Sequence, residues 1–126
     1  MARVMVVDDS GMSRRILRDI LESEGHEVFE AHDGIAALEM YFLQKPDLVL
    51  LDLIMRGMYG LDVLKKFREM DSAVRVIVAT ADIQTSTQQL ARDAGASAFI
   101  TKPFVRENII TAVRQVIEGP SHAFNG

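Results

Sequence analysis

Leu48-Val49-Leu50-Leu51-Asp52 is the stretch on which the fold turns. Four consecutive apolar residues, bounded by Pro46 upstream and a carboxylate downstream, are too few for a helix and read as a strand covered on both faces. Such strands belong to parallel sheets with helices above and below. The chain opens on the same pattern, Val4-Met5-Val6-Val7 ending in Asp8-Asp9. Two later runs also meet polar residues: Val76-Ile77-Val78-Ala79 ends in Thr80, and Ala98-Phe99-Ile100 runs toward Lys102-Pro103.

Outward from these runs, strand and amphipathic helix alternate along the whole chain. Strands are predicted at about 3–7, 27–31, 47–51, 75–79 and 98–100, the second alternating in the manner of an edge strand. The first helix, about 12–24, carries Met12, Ile16, Ile20 and Leu21 on one stripe and stops at Gly25. Asp33 caps the second, with Ala37, Leu38 and Tyr41 on it, and a loop holding Gly57 and Gly60 leads into the third, with Leu61, Leu64 and Phe67 inward. The fourth and fifth are predicted at about 84–94 and 105–118, with Gly119-Pro120 closing the last. Strict alternation with short connections dictates an α/β, doubly wound, five-stranded parallel (βα)5 sheet with right-handed crossovers. Ligands of such sheets bind at the carboxyl ends of the strands, where Asp8, Asp9, Asp52, Thr80 and Lys102 all fall.

At 126 residues, with 48% apolar and 25% charged residues, the chain suits one globular domain. Zero Cys removes disulfides and thiolate chemistry and fits a reducing compartment; together with an apolar opening strand too short for a signal or a membrane span, it makes the cytoplasm the expected location. A net charge of −4 argues against a nucleic-acid or anionic-membrane surface. Arg14, Arg15 and Arg18 read as a solvated helix face balanced by Asp19, Glu22 and Glu24, and His26, His32 and His122 as surface residues.

If the first, third, fourth and fifth strands are neighbours, three carboxylates crowd together. Two like charges about 4 Å apart repel by roughly 4 kcal/mol at an effective dielectric of 20, so a cation must answer them or a carboxyl pKa must rise. All-oxygen ligands favour Mg²⁺, with Mn²⁺ as substitute, and a metal beside a Lys and a Thr hydroxyl describes a site for a phosphoryl group. Asp52, alone at the end of the most apolar strand, is the candidate nucleophile; Asp8 and Asp9 suit chelation. Taken singly, each residue has a plainer account: helix capping for Asp8 and Asp9, a local backbone bond for Thr80, solvation for Lys102.

In order and spacing, Asp8-Asp9, Asp52, Thr80-Ala81 and Lys102-Pro103 resemble the receiver domains of two-component response regulators, most of all single-domain regulators of the CheY type. The resemblance runs over residues 3–118 and leaves 119–126 as a C-terminal tail. It implies a flavodoxin-like strand order 2-1-3-4-5. It also implies that a histidine kinase or phosphotransfer protein phosphorylates Asp52. Asp9, Asp52 and the Ile54 backbone carbonyl would hold Mg²⁺, with Asp8 acting mainly through water, and Thr80 and Lys102 would bind phosphoryl oxygens. Lys102-Pro103 would be cis, as cis bonds practically always precede Pro. Phe99 occupies the switch aromatic position, and a downstream protein would read helix 4, strand 5 and helix 5, the receiver being a monomer or a phosphorylation-linked dimer. Ile54 and Asp82 match positions that tune phosphoryl hydrolysis.

The chain departs from the family where Met55 is followed by Arg56 and Gly57 rather than Pro, which leaves a looser loop and an Arg near the acids. Three other readings compete: an aspartate-nucleophile phosphatase, which would need a cap segment; a flavodoxin-like cofactor binder, which would need a phosphate loop after the first strand; and the receiver half of a larger regulator with a DNA-binding or enzymatic effector.

Overall fold

The computed structural model describes residues 1–119. Its two most apolar runs form β1 (Arg3–Val7) and β3 (Leu48–Leu51), which pair in parallel with Val4 beside Leu48 and Val7 beside Leu51. Asp8 and Asp52 therefore leave the sheet at one edge, side by side. The remaining elements are α1 (Gly11–Ser23), β2 (Glu27–Ala31), α2 (Gly34–Gln44), α3 (Gly60–Met70), β4 (Val76–Thr80), α4 (Thr85–Asp93), β5 (Ala98–Thr101) and α5 (Arg106–Glu118). All strands are parallel in the order β2-β1-β3-β4-β5, as the family resemblance implied, and β2 is an edge strand.

Alternate residues of each strand feed two cores, because successive side chains point to opposite faces. Val4, Val6, Leu48 and Leu50 meet α1 and α5 on one side, while Met5, Val7, Val49 and Leu51 meet α2 and α3 on the other. Burying each such side chain is worth about 2 kcal/mol, so the central strands dominate the stability. Their complete enclosure is also what makes polar residues at their ends hard to accommodate.

Asp33 caps α2 as expected, accepting from Ala36 N at 2.7 Å, and Gly25, at φ +86°, turns the chain after α1. The inward stripe of α1 differs from expectation. Leu17 is enclosed with Ile20 and Leu21, whereas Met12 and Ile16 are 75% and 41% exposed. The helix is rotated so that the line through residues 17, 20 and 21 meets the sheet. β4 and β5 each run further than predicted, to Thr80 and Thr101, and these two residues stand opposite one another in the ladder. Thr80 is thereby enclosed within the sheet.

Gly119 caps α5 through its N–H to the Gln115 carbonyl; the rest of the expected tail, residues 120–126, lies outside the described residues, as does His122. Among the described residues no helix is long and apolar enough to cross a membrane.

Candidate functional site

Carboxylate oxygens of Asp8, Asp9 and Asp52 all lie within 4.8 Å of one another at the carboxyl edge of β1 and β3. Asp8 and Asp52 are buried, and Asp9 is exposed. Capping does not account for the acids after β1. Ser10 caps α1, its side chain accepting from Ser13 N at 3.2 Å, while Asp8 Oδ1 accepts from Ser10 N at 2.9 Å.

Lys102 reaches into the cluster rather than into solvent. Its Nζ donates to Asp8 Oδ2 at 2.8 Å and to Asp52 Oδ2 at 2.9 Å. The Lys102 N–H donates to the Thr80 carbonyl at 2.9 Å, extending the β4–β5 ladder and fixing where the side chain starts. The Lys102–Pro103 bond is cis. Asp52 Oδ1 accepts from Ile54 N at 3.1 Å, and Asp9 Oδ2 accepts from Arg56 N at 3.2 Å, a bond that a proline at position 56 would lack. The approach of α3 to Asp52 depends on glycine: a Cβ on Gly60 would overlap the Asp52 carbonyl and the Leu53 Cα.

Burial pushes the Asp8 carboxyl above its ordinary range; bonds from Lys102 and Ser10 oppose the shift, and the neighbouring Asp52 adds to it. Burial works against the Lys102 charge, yet its bonds to Asp8 and Asp52 outweigh that and raise its pKa. The two directions agree with the stoichiometry, because one ammonium is shared between two buried carboxylates and a third stands beside them. The excess of negative charge, the all-oxygen donor set and the open side at Asp9 fit a hard divalent cation.

The remaining expected residues gather on the same edge or just behind it. Thr80 Oγ1 accepts from Asp82 N at 3.4 Å, the local bond anticipated for it. Phe99 is half-buried beside Val78 on β4. Ile54 is 58% exposed, so an apolar side chain faces water beside Asp52. The carboxylate of Asp82 is committed to α4: Oδ1 accepts from Gln84 N at 3.0 Å and Oδ2 from Thr87 Oγ1 at 2.7 Å.

Two surface expectations are corrected. Arg14 and Arg18 are balanced chiefly from outside their own helix: both bind Glu30 on β2, at 2.9 and 2.6 Å, and Arg14 also donates to the Asp8 carbonyl at 2.7 Å. Glu22 supplies only a secondary contact to Arg18, at 3.1 Å. Parallel pairing of β1 with β2 brings Glu30 to this face, a contact that local spacing does not reveal. His26 is half-buried and accepts from Ala2 N through Nδ1 at 3.0 Å.

The sequence model of the response regulator receiver domain matches residues 4–114. The chain belongs to that family. This receiver is 36% identical over 115 residues to the chemotaxis protein CheY of Halobacterium salinarum, covering 91% of this chain and 96% of that one. It is 34% identical over 115 residues to sporulation initiation phosphotransferase F of Bacillus subtilis, covering 91% and 93%. A chain in the crystal structure of the CheX–CheY–BeF3–Mg²⁺ complex of Borrelia burgdorferi matches with a TM-score of 0.89 at 32% identity, over 93% of this receiver and 90% of that chain. The response regulator MprA of Mycobacterium ulcerans is 36% identical over 115 residues, where the match spans 50% of the longer protein. The receiver is thus a phospho-accepting response regulator of two-component signalling.

Proposed function

We propose that Asp52 is the phosphoacceptor and that Asp8, Asp9 and Asp52, with the Ile54 carbonyl, hold Mg²⁺. The observation carrying this reading is positional: β3 lies between β1 and β4, so Asp52 alone has the acidic pair on one side and the strand bearing Thr80 on the other, with Lys102 bonded to it. A carboxylate oxygen of Asp52 would attack the phosphorus of a phosphohistidine on a kinase or phosphotransfer partner. The P–N bond breaks, its electron pair leaves with the imidazole nitrogen, and the product is an aspartyl phosphate. Bound Mg²⁺ would supply charge neutralisation for the phosphoryl oxygens and the acids. Lys102, freed from part of its bridging, would follow the phosphoryl oxygens, and the Thr80 hydroxyl would donate to one of them.

The signal would then be a shift in packing around Phe99, read on the face of α4, β5 and α5 by a protein target. Ile83 and Val105, 73% and 52% exposed, border Phe99 there and give a partner apolar contacts. Met12 and Ile16, left uncovered on α1, would give a second such surface, suited to the phosphodonor. We take residues 3–118 as the functional unit, a chemotaxis-like single-domain switch in the cytoplasm, with self-phosphorylation and self-hydrolysis as its only chemistry. The longer MprA relative favours a second reading, the receiver half of a regulator with an effector.

Labelling by a small phosphodonor tests the assignment. With Mg²⁺, acetyl phosphate should add one phosphoryl group to the parent, detected by intact mass, and none to Asp52→Asn or to the parent with chelator. Equal labelling of Asp52→Asn would remove Asp52 from the role, and turnover of phosphomonoesters would restore the phosphatase reading.

A further inference from the structure

Thr87 is 5% exposed, yet nothing in the phosphoryl chemistry above uses it. An enclosed hydroxyl costs about 1–3 kcal/mol if left without a partner, so its bond needs a reason. Thr87 lies in the first turn of α4 and donates from Oγ1 to Asp82 Oδ2 at 2.7 Å. Asp82 Oδ1 accepts from Gln84 N at 3.0 Å, and Gln84, at the head of α4, makes no side-chain cap bond of its own. Asp82 is therefore gripped through both carboxylate oxygens, once by a backbone N–H and once by a hydroxyl inside the helix. Held this way, its own N–H points back at Thr80 Oγ1, at 3.4 Å.

A hydroxyl oxygen that accepts from one donor turns its proton elsewhere. With the Asp82 amide on one side of the Thr80 oxygen, the Thr80 proton is left for an acceptor on the other. We propose that Thr87, acting through Asp82, is a positioning residue for Thr80, aiming the Thr80 proton at a phosphoryl oxygen on Asp52. The inference rests on the reading of Asp52 as phosphoacceptor. The amide bond is 3.4 Å long; once the hydroxyl donates to a phosphoryl oxygen, its own oxygen becomes the stronger acceptor and the amide bond tightens.

The test compares the parent with Thr87→Val, which keeps the shape and removes the hydroxyl, and with Thr87→Ser, which restores it. Mg²⁺ binding is measured first by calorimetry, then binding of beryllium fluoride in saturating Mg²⁺, a mimic of the phosphoryl group. Thr87→Val should weaken beryllium fluoride binding about threefold to tenfold, the scale of one hydrogen bond, and leave Mg²⁺ affinity within about twofold; Thr87→Ser should recover the parent value. Should Thr87→Val fail to fold, Asp82→Ala breaks the same linkage from its less buried end while keeping the amide, and is expected to show the same selective loss. Unchanged beryllium fluoride binding overturns the inference, as does an equal loss of Mg²⁺ and beryllium fluoride binding, which would mark a purely structural role, or a failure of Thr87→Ser to rescue. If the parent binds Mg²⁺ but no beryllium fluoride, the reading of Asp52 fails instead.

Discussion

At the amino end of the strands Arg75 reaches the last carbonyls of α5, Arg3 N meets Asp47 and Tyr41 meets Asp71, whereas at the carboxyl end two buried carboxylates share one ammonium and a third stands beside them. The first arrangement satisfies groups that would otherwise be orphaned. Arg75 donates to the carbonyls of Ile117 at 3.1 Å and Gly119 at 3.2 Å, beyond the last intrahelical bonds, and its charge suits a helix C-terminus. Tyr41, 4.9 Å from the Phe67 ring, donates to Asp71 Oδ2 at 2.8 Å, and burial followed by that carboxylate pushes the phenol above its ordinary range. The second arrangement leaves negative charge in excess beside an enclosed core. One end of the sheet satisfies its polar groups, and the other holds a charge imbalance.

Substitutions at the two ends should therefore act in opposite senses. Arg75→Ala is expected to lower the unfolding free energy by about 2 kcal/mol in urea while leaving acetyl phosphate labelling unchanged. At the other end, Ile54→Asn should change the rate of phosphate release from the labelled protein about threefold or more, because a polar side chain beside the proposed acceptor Asp52 can orient the attacking water. Equal release rates would remove Ile54 from the control of lifetime.

Asp8→Asn tests the imbalance itself. The Asp8 pKa is raised in the fold, so the stability linked to its neutral form is fully present below the unfolded value and lost as pH rises through the folded one. At pH 7 Asp8→Asn should be more stable than the parent by about 1 kcal/mol, with the gap closing as pH falls, and should bind Mg²⁺ more weakly. A less stable Asp8→Asn would show that the carboxylate is a structural asset, and the contrast between the ends would fail.

The smallest effect belongs to His26 at the amino end. Burial first, then the amino terminus, holds its imidazole below the ordinary range against the opposing pull of Glu24, and its Nδ1 accepts from Ala2 N. The stability linked to the neutral ring is complete above the unfolded pKa, near 6.5, and is lost as pH falls from there through the folded value. Relative to His26→Gln, the parent should lose stability between about pH 7 and pH 5 by a few tenths of a kcal/mol. A constant difference across that range would show that the ring does not titrate against the fold.

Much of this could be read without coordinates, for identifiable reasons. A continuous apolar run such as 48–51 has few other structural uses, and a carboxylate closing it marks the strand's end, so β1, β3, β4 and their polar termini were legible. The face of α1 was not. Residues 12, 16 and 20 and residues 17, 20 and 21 both satisfy a helical period, and only the docking of α1 against β1 decides that Leu17 is enclosed while Met12 lies in water. Charge partners were the other blind spot. The bonds of Arg14 and Arg18 to Glu30 and the Asp82–Thr87 linkage depend on where elements meet, and long polar side chains choose partners by proximity in space.

The sequence by itself determined the alternating architecture, the edge at which the candidate site gathers and the residue types available there, because backbone periodicity and the cost of ending a buried strand in a charge are local properties. Tertiary structure alone decided that one ammonium bridges Asp8 and Asp52, that Ser10 rather than either acid caps α1, and that Thr87 grips Asp82 behind Thr80. Those are contests among several partners for a few donors and acceptors, and only packing sets which atoms come within reach.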